Sequence, residues 1–245
     1  MALLDGSGGG RSLDLADHIE ETRAAGGTGL VWHAGDAISP PFMDDVLTQQ
    51  GFEKTEDLDV LAFELGTDPE LKLPDLRVPN DVSTRLVRGE EDLRLVKVVE
   101  AGVIPASTWG EADTCAYMRG LSELDARRRR RPGVEGVACA FWYLALVRNR
   151  RGEGQEVAGT AGAELTGKTA RLWGAGTLPG HRGRGAYRVL VMERCCHAHA
   201  LGATLALTKA NIASSAPILR NAGFHSVASE RRYALKMAAQ ASRRV

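Results

Sequence analysis

Gly176-Thr177-Leu178-Pro179-Gly180-His181-Arg182-Gly183-Arg184-Gly185-Ala186-Tyr187-Arg188-Val189-Leu190 decides how the rest of the chain is read. Ala170 to Leu178 reads as a strand, Pro179 stops it, and a helix is expected from about Gly185. Between the two, glycines let successive backbone N–H groups point into one concavity, the kind of nest that binds phosphate oxygens. The start of the helix adds the positive end of its dipole. Arg182 and Arg184 bring charge that a pyrophosphate would neutralise. A Gly-rich turn alone says little; strand, Pro, Arg-Gly-Arg-Gly and helix in this order say much more.

Upstream of this stretch, Val137 to Val147 is apolar and aromatic, and Glu156 to Leu165 alternates small residues. With Ala170 to Leu178 they read as an antiparallel meander, turned at Arg150-Arg151-Gly152-Glu153-Gly154 and Thr166-Gly167-Lys168. Arg85 to Arg88 reads as a short strand, followed by a helix to about Ala101 whose first turn holds Glu90, Glu91 and Asp92, where the dipole favours carboxylates. A further helix is expected from Glu111 to about Arg131, stopped by Pro132-Gly133. Downstream come a helix to about Leu201, a strand over 203–208, a helix near 213–221 and strands to Lys236.

Residues 1–66 read as helix, strand, helix, strand, too small a core to be comfortable alone. Residues 67–82, with Pro69, Pro74 and Pro79, read as a semi-rigid linker, and residues 83–238 as the main domain. Leu47-Thr48-Gln49-Gln50-Gly51-Phe52 is echoed by Leu219-Arg220-Asn221-Ala222-Gly223-Phe224, each Gly-Phe ending a helix and opening a strand. The shared element order suggests that the first module is a degenerate, partial repeat of the second.

Hydrophobic residues make up 44% of the 245 and charged residues 25%, the balance of a globular protein. No apolar run approaches the roughly 18 residues of a membrane span, and the Gly-rich start lacks a signal-peptide core, so a cytoplasmic home is expected. Residues 1–80 hold 16 acidic and 5 basic side chains; of 31 each, 15 and 26 remain for residues 81–245. An acidic module beside a basic one favours mutual docking and a polyanionic ligand on the basic side.

Around Arg182-Gly183-Arg184-Gly185-Ala186 the chain resembles the GNAT superfamily of N-acyltransferases. Its motif is Arg or Gln, two variable residues, Gly, one variable residue, then Gly or Ala. The first five positions match, and the sixth is Tyr187. The resemblance covers roughly Arg85 to Lys236 and includes Asn211 to Phe224. It implies an α/β fold, a mixed, splayed sheet flanked by helices, preceded here by a smaller α/β half-domain. It also implies acetyl-CoA or another acyl-CoA as co-substrate, with no metal. The diphosphate would lie on Arg182, Gly183, Arg184, Gly185, Ala186 and Tyr187. Backbone groups of Thr177 and Leu178 would pair with the pantetheine arm, and Asn211 and Ser214 would sit along its far side.

The implied reaction is direct attack of a neutral amine on the thioester. Many relatives place a tyrosine four residues before the Gly of Gly-Phe, where this chain has Leu219, and a carboxylate on the strand before the loop. That strand presents Arg171, Trp173 and Ala175, and Glu164 is the nearest acid upstream. The catalytic residues are therefore unassigned. A small-molecule amine is the expected acceptor and a homodimer an expected assembly. The alternative is a non-catalytic acyl-CoA-binding or regulatory protein of the same fold.

Other clusters read more plainly. Arg127 to Arg131 has no interleaved aromatics and reads as a solvated helix end, so nucleic acid is not an expected partner. Of Cys195, Cys196, His197 and His199, only Cys195 and His199 share a helix face, which is no zinc site. The four cysteines, Cys115 and Cys139 included, read as thiols. Trp109, Tyr117, Trp142 and Tyr143 are core aromatics or the walls of an acceptor pocket, and His33 reads as structural.

Overall fold

The meander forms as expected in the computed structural model, which describes residues 2–3, 15–24, 26–36, 42–67, 70–103, 139–149 and 154–237. In chain order the described elements are β1 (Ala2–Leu3), α1 (Leu15–Ala24), β2 (Gly29–Gly35), α2 (Met43–Gln49), β3 (Glu53–Glu64), β4 (Val82–Leu86) and α3 (Glu90–Val103). They continue with β5 (Cys139–Arg148), β6 (Gln155–Thr166), β7 (Thr169–Thr177), α4 (Ala186–Ala200), β8 (Leu205–Asn211), α5 (Ser215–Asn221) and β9 (His225–Lys236). The helix expected from Glu111 to Arg131, the arginine run, Trp109 and Tyr117 lie outside the described residues, as do the Gly-rich start and the tail from Ala238. Among the described residues no helix is long and apolar enough to cross a membrane.

Two compact units divide the chain: Met1–Val60 with Ala210–Pro217 and Ser226–Val245, and Leu61–Lys209 with Ile218–His225. In the first unit β2 pairs antiparallel with β9 along its whole length, from Gly29 opposite Lys236 to Gly35 opposite Glu230. Tyr233 and Met237 from the C-terminal end thus join Leu15, Ile19, Leu30, Trp32, Leu47 and Phe52 in one apolar cluster. A core that 60 residues could barely build is completed by distant chain. Charge follows the same pairing. Arg231 bridges Asp36 and Asp44, and Arg232 meets Glu56 at 2.7 Å.

In the second unit β4, β5, β6 and β7 run antiparallel to their neighbours, and β7 pairs parallel with β8. The edge strand β4 starts at Val82, earlier than the expected Arg85, because Val82 pairs with Val147 of β5. Period-2 alternation splits β5 between two layers. Trp142 and Leu144 pack with Leu93 and Val96 of α3, whereas Phe141 and Tyr143 contact His197 of α4. Helix α3 forms because Leu93, Val96 and Val99 recur at helical spacing behind an acidic first turn. The Asp92 carboxylate there accepts the Arg88 N–H at 3.1 Å.

Two register shifts interrupt the meander, one between Ala145 and Leu146 of β5 and one between β6 and β7. Thr160 pairs with Gly176 but Gly162 with Trp173, so β7 carries one extra residue there, and Gly174 takes φ +61°. The β7–β8 register ends at Leu172 opposite Thr208, while β7 itself runs on to Thr177. Arg194, 2% exposed, fastens the bulge from beneath. Its guanidinium donates to Gly162 O at 2.8 Å, Trp173 O at 3.3 Å and Leu190 O at 2.9 Å. Burial lowers its pKa from the usual guanidinium value.

Candidate functional site

Past β7 the chain makes a short 3₁₀ turn, Pro179–His181, then Arg182 in extended conformation, then Gly183 at φ +77° and Gly185 at φ +91°. These left-handed conformations fit glycine. Gly185 caps α4 without any side-chain hydrogen bond, and the first intrahelical bond runs from Val189 N–H to Gly185 O at 3.0 Å. The amides of the first helical turn are therefore left to face outward, and the dipole of a 15-residue helix stands behind them.

The residues of this turn line a cleft of about 590 Å3. From the loop and helix come Thr177, His181, Arg182, Gly183, Gly185, Ala186, Tyr187 and Arg188. The rest of the lining consists of Asp75, Leu76 and Arg77, with Ile218 and Asn221 from α5. Three guanidinium groups against one carboxylate give the lining an excess of positive charge.

Six of the residues picked from sequence, Thr177, Arg182, Gly183, Gly185, Ala186 and Tyr187, are in this lining. Two do not take the places expected of them. The Leu178 N–H is already given to Ala158 O at 2.8 Å. Arg184 is absent from the lining; its guanidinium donates to Arg148 O at 2.7 Å and stands 3.4 Å from the Asp81 carboxylate. Asn211 and Ser214 belong to the other unit. There the Asn211 side chain accepts the Ala213 N–H at 2.9 Å. Sequence reading gave no role to Arg188, and it missed Asp75, Leu76, Arg77, Ile218 and Asn221, which no local pattern ties to the loop.

The candidate acids and aromatics resolve as follows. Glu164 is tied to Arg171 at 3.0 Å, its partner across β6 and β7. Leu219 is fully buried. Trp142, 1% exposed, packs edge-on against Trp173. The Tyr143 hydroxyl lies 2.9 Å from His197 Nδ1, and burial pushes its pKa up to about 12. Cys195 is buried, which pushes its thiol up to about 12, and among the described residues no three potential ligands gather for a metal. His33 stands 3.3 Å from Glu230. One carboxylate stands out: Glu100 on α3 is half-buried, its Oε2 has no hydrogen-bond partner, and burial raises its pKa. One turn later Val103 closes on Gly176 of β7.

No protein-family model matches the chain, and neither does any curated protein sequence. Solved structures do share its fold. A GCN5-related N-acetyltransferase from Kribbella flavida matches with TM-score 0.56 at 17% identity, over 89% of this chain and 73% of that one. A GCN5-related N-acetyltransferase from Sphaerobacter thermophilus matches with TM-score 0.57 at 18% identity; 91% of this chain spans 64% of that protein. A tandem GNAT protein from the clavulanic acid biosynthesis pathway matches with TM-score 0.55 at 15% identity, over 91% and 68%.

Proposed function

We propose that this chain, whose fold is that of the GNAT N-acetyltransferases, moves an acyl group, acetyl in the first instance, from CoA to a primary amine of a small molecule. The observation that carries the reading is the cleft. A left-handed Gly pair and the start of a helix line it, the amides of that first turn have no intrahelical acceptor, and Arg182 and Arg188 are in the same lining. That combination suits a diphosphate, because N–H dipoles and guanidinium groups stabilise phosphate oxygens without a metal. The end of β7 beyond its pairing with β8 supplies the edge along which a pantetheine arm would run, with Thr177 nearest the diphosphate.

The chemistry is direct aminolysis. The neutral amine forms the new C–N bond, the C–S bond breaks, and CoA leaves as a thiolate. An alkyl amine near pKa 10 must first lose a proton, so water or a side chain accepts one. Glu164 and Leu219 do not supply that acceptor, for the reasons above.

The N-terminal residues 1–66 fit a partial copy of the main domain. Both Gly-Phe helix ends have the same cap: Phe52 N–H donates to Leu47 O and Phe224 N–H to Leu219 O, each at 3.0 Å.

Calorimetry on the full chain with CoA and acetyl-CoA tests the binding, and release of free CoA over a panel of small amines tests the transfer. Micromolar binding with release abolished by Arg188→Glu is expected. Folded protein that ignores both ligands at millimolar concentration overturns the proposal. Tight binding without turnover on any amine would instead make the protein a sensor of acyl-CoA.

A further inference from the structure

The segment 70–81, which in sequence reads as a mere connection, is a wall of the cleft. It is fixed along its length. Lys72 N–H donates to Leu65 O at 2.8 Å and Asp75 N–H to Ala222 O at 3.1 Å. Pro79 lies so close to Gly185 that a Cβ there would meet its Cδ at 2.5 Å. Asp81 then reaches Arg184 at 3.4 Å, and its carbonyl accepts the Arg148 N–H at 3.0 Å. Between these anchors Leu76 is buried, while Arg77 is exposed, with no ion pair or hydrogen bond among the described residues.

Resting on the reading that the cleft holds CoA, we infer that Arg77 binds a second phosphate, the 3′-monoester on the ribose, and makes the protein specific for CoA over its 3′-dephospho form. A diphosphate carries two charges, and the loop side already meets it with amides, a helix dipole, Arg182 and Arg188. A third guanidinium, brought to the lining by a separate segment, has no counterpart in the diphosphate. A phosphate monoester has one, since at neutral pH it holds more than a single charge and accepts a bidentate guanidinium. Leu76 and Ile218, also in the lining, offer apolar surface to a purine. Asp75 beside them offers an acceptor to an amino or hydroxyl group.

The test is calorimetric titration of the full chain, wild type and Arg77→Ala and Arg77→Lys, with CoA and with 3′-dephospho-CoA. Wild type is expected to prefer CoA by about ten- to a hundredfold, the worth of a charge-assisted hydrogen-bonded pair. Arg77→Ala weakens CoA by that factor and leaves 3′-dephospho-CoA unchanged, and Arg77→Lys recovers part of the preference. Equal affinity of wild type for both ligands, or equal weakening of both by Arg77→Ala, overturns the inference while the proposed function stands. Wild type that binds neither overturns both. Arg77 is exposed, so its removal leaves the fold intact, which circular dichroism checks directly.

Discussion

Adding one methyl at Gly183 and at Gly185 separates binding from folding in the same loop. Both residues are left-handed, at φ +77° and +91°, so an alanine at either costs about 1–2 kcal/mol of backbone strain. Their surroundings differ. At Gly183 nothing lies within 4 Å of the new Cβ, so strain is the whole cost to stability. At Gly185 the Cβ would stand 2.5 Å from Cδ and 2.9 Å from Cγ of Pro79, a ring that the segment's backbone bonds hold in place. Relieving that overlap adds about 1–3 kcal/mol, the usual cost of overpacking. In a domain of this size 1 kcal/mol shifts the midpoint by about 2–4 °C. Gly183→Ala should therefore lose only a few degrees, and Gly185→Ala about twice as many or more. Affinity should rank the other way per unit of stability lost. The Gly183 methyl meets no neighbour within 4 Å, but it disturbs the N–H direction on which a diphosphate would depend. A tenfold or larger rise in the Kd of acetyl-CoA is expected, about 1.4 kcal/mol. Differential scanning calorimetry and titration on the two variants give both numbers. A folded Gly183→Ala protein that binds acetyl-CoA like wild type would refute the cradle, and a Gly185→Ala protein no less stable than Gly183→Ala would refute the Pro79 contact.

Arg194→Met should destabilise the protein by about 1–3 kcal/mol for each main-chain acceptor left dry, because Gly162 O and Trp173 O lose their donor; urea denaturation reads this, and an unchanged midpoint would contradict it. Glu100→Gln should change the pH dependence of stability. Burial raises the Glu100 pKa, so its favourable protonated form is fully present below the ordinary carboxylate range and is lost as pH rises through the raised value. The variant should thus be the more stable protein near pH 8 and match wild type below about pH 4; a difference constant across that range would show that titration is not involved.

Much of the main domain was legible because its signals are local. Gly183 and Gly185 stand where the backbone turns left-handed, Pro179 ends β7, and the small alternating residues of β6 lie between two strands of the meander. What sequence hid was partner choice. Whether Glu164 serves chemistry or a cross-strand pair depends on which residue of β7 faces it, and the register puts Arg171 there. The extra residue in β7 looks like any small residue in a strand until Gly174 is seen at φ +61°. The mate of β2 was equally hidden, since nothing in Gly29–Gly35 names a strand nearly 200 residues away.

Arg184 makes the same point about the motif itself. In sequence its two arginines are equivalent, two charges flanking one glycine. In the fold Arg182 lines the cleft, whereas Arg184 is turned to Asp81 and to Arg148 O. Its charge is thereby spent on holding the segment that carries Arg77, and that segment adds a guanidinium to the lining of the cleft. The count of cations in the lining is restored by a residue more than a hundred positions away, on chain that the motif does not include. A salt bridge exposed on this scale contributes little stability by itself. Its consequence is geometric, because a wall built from residues 75–77 stays a wall only while both of its ends are tied.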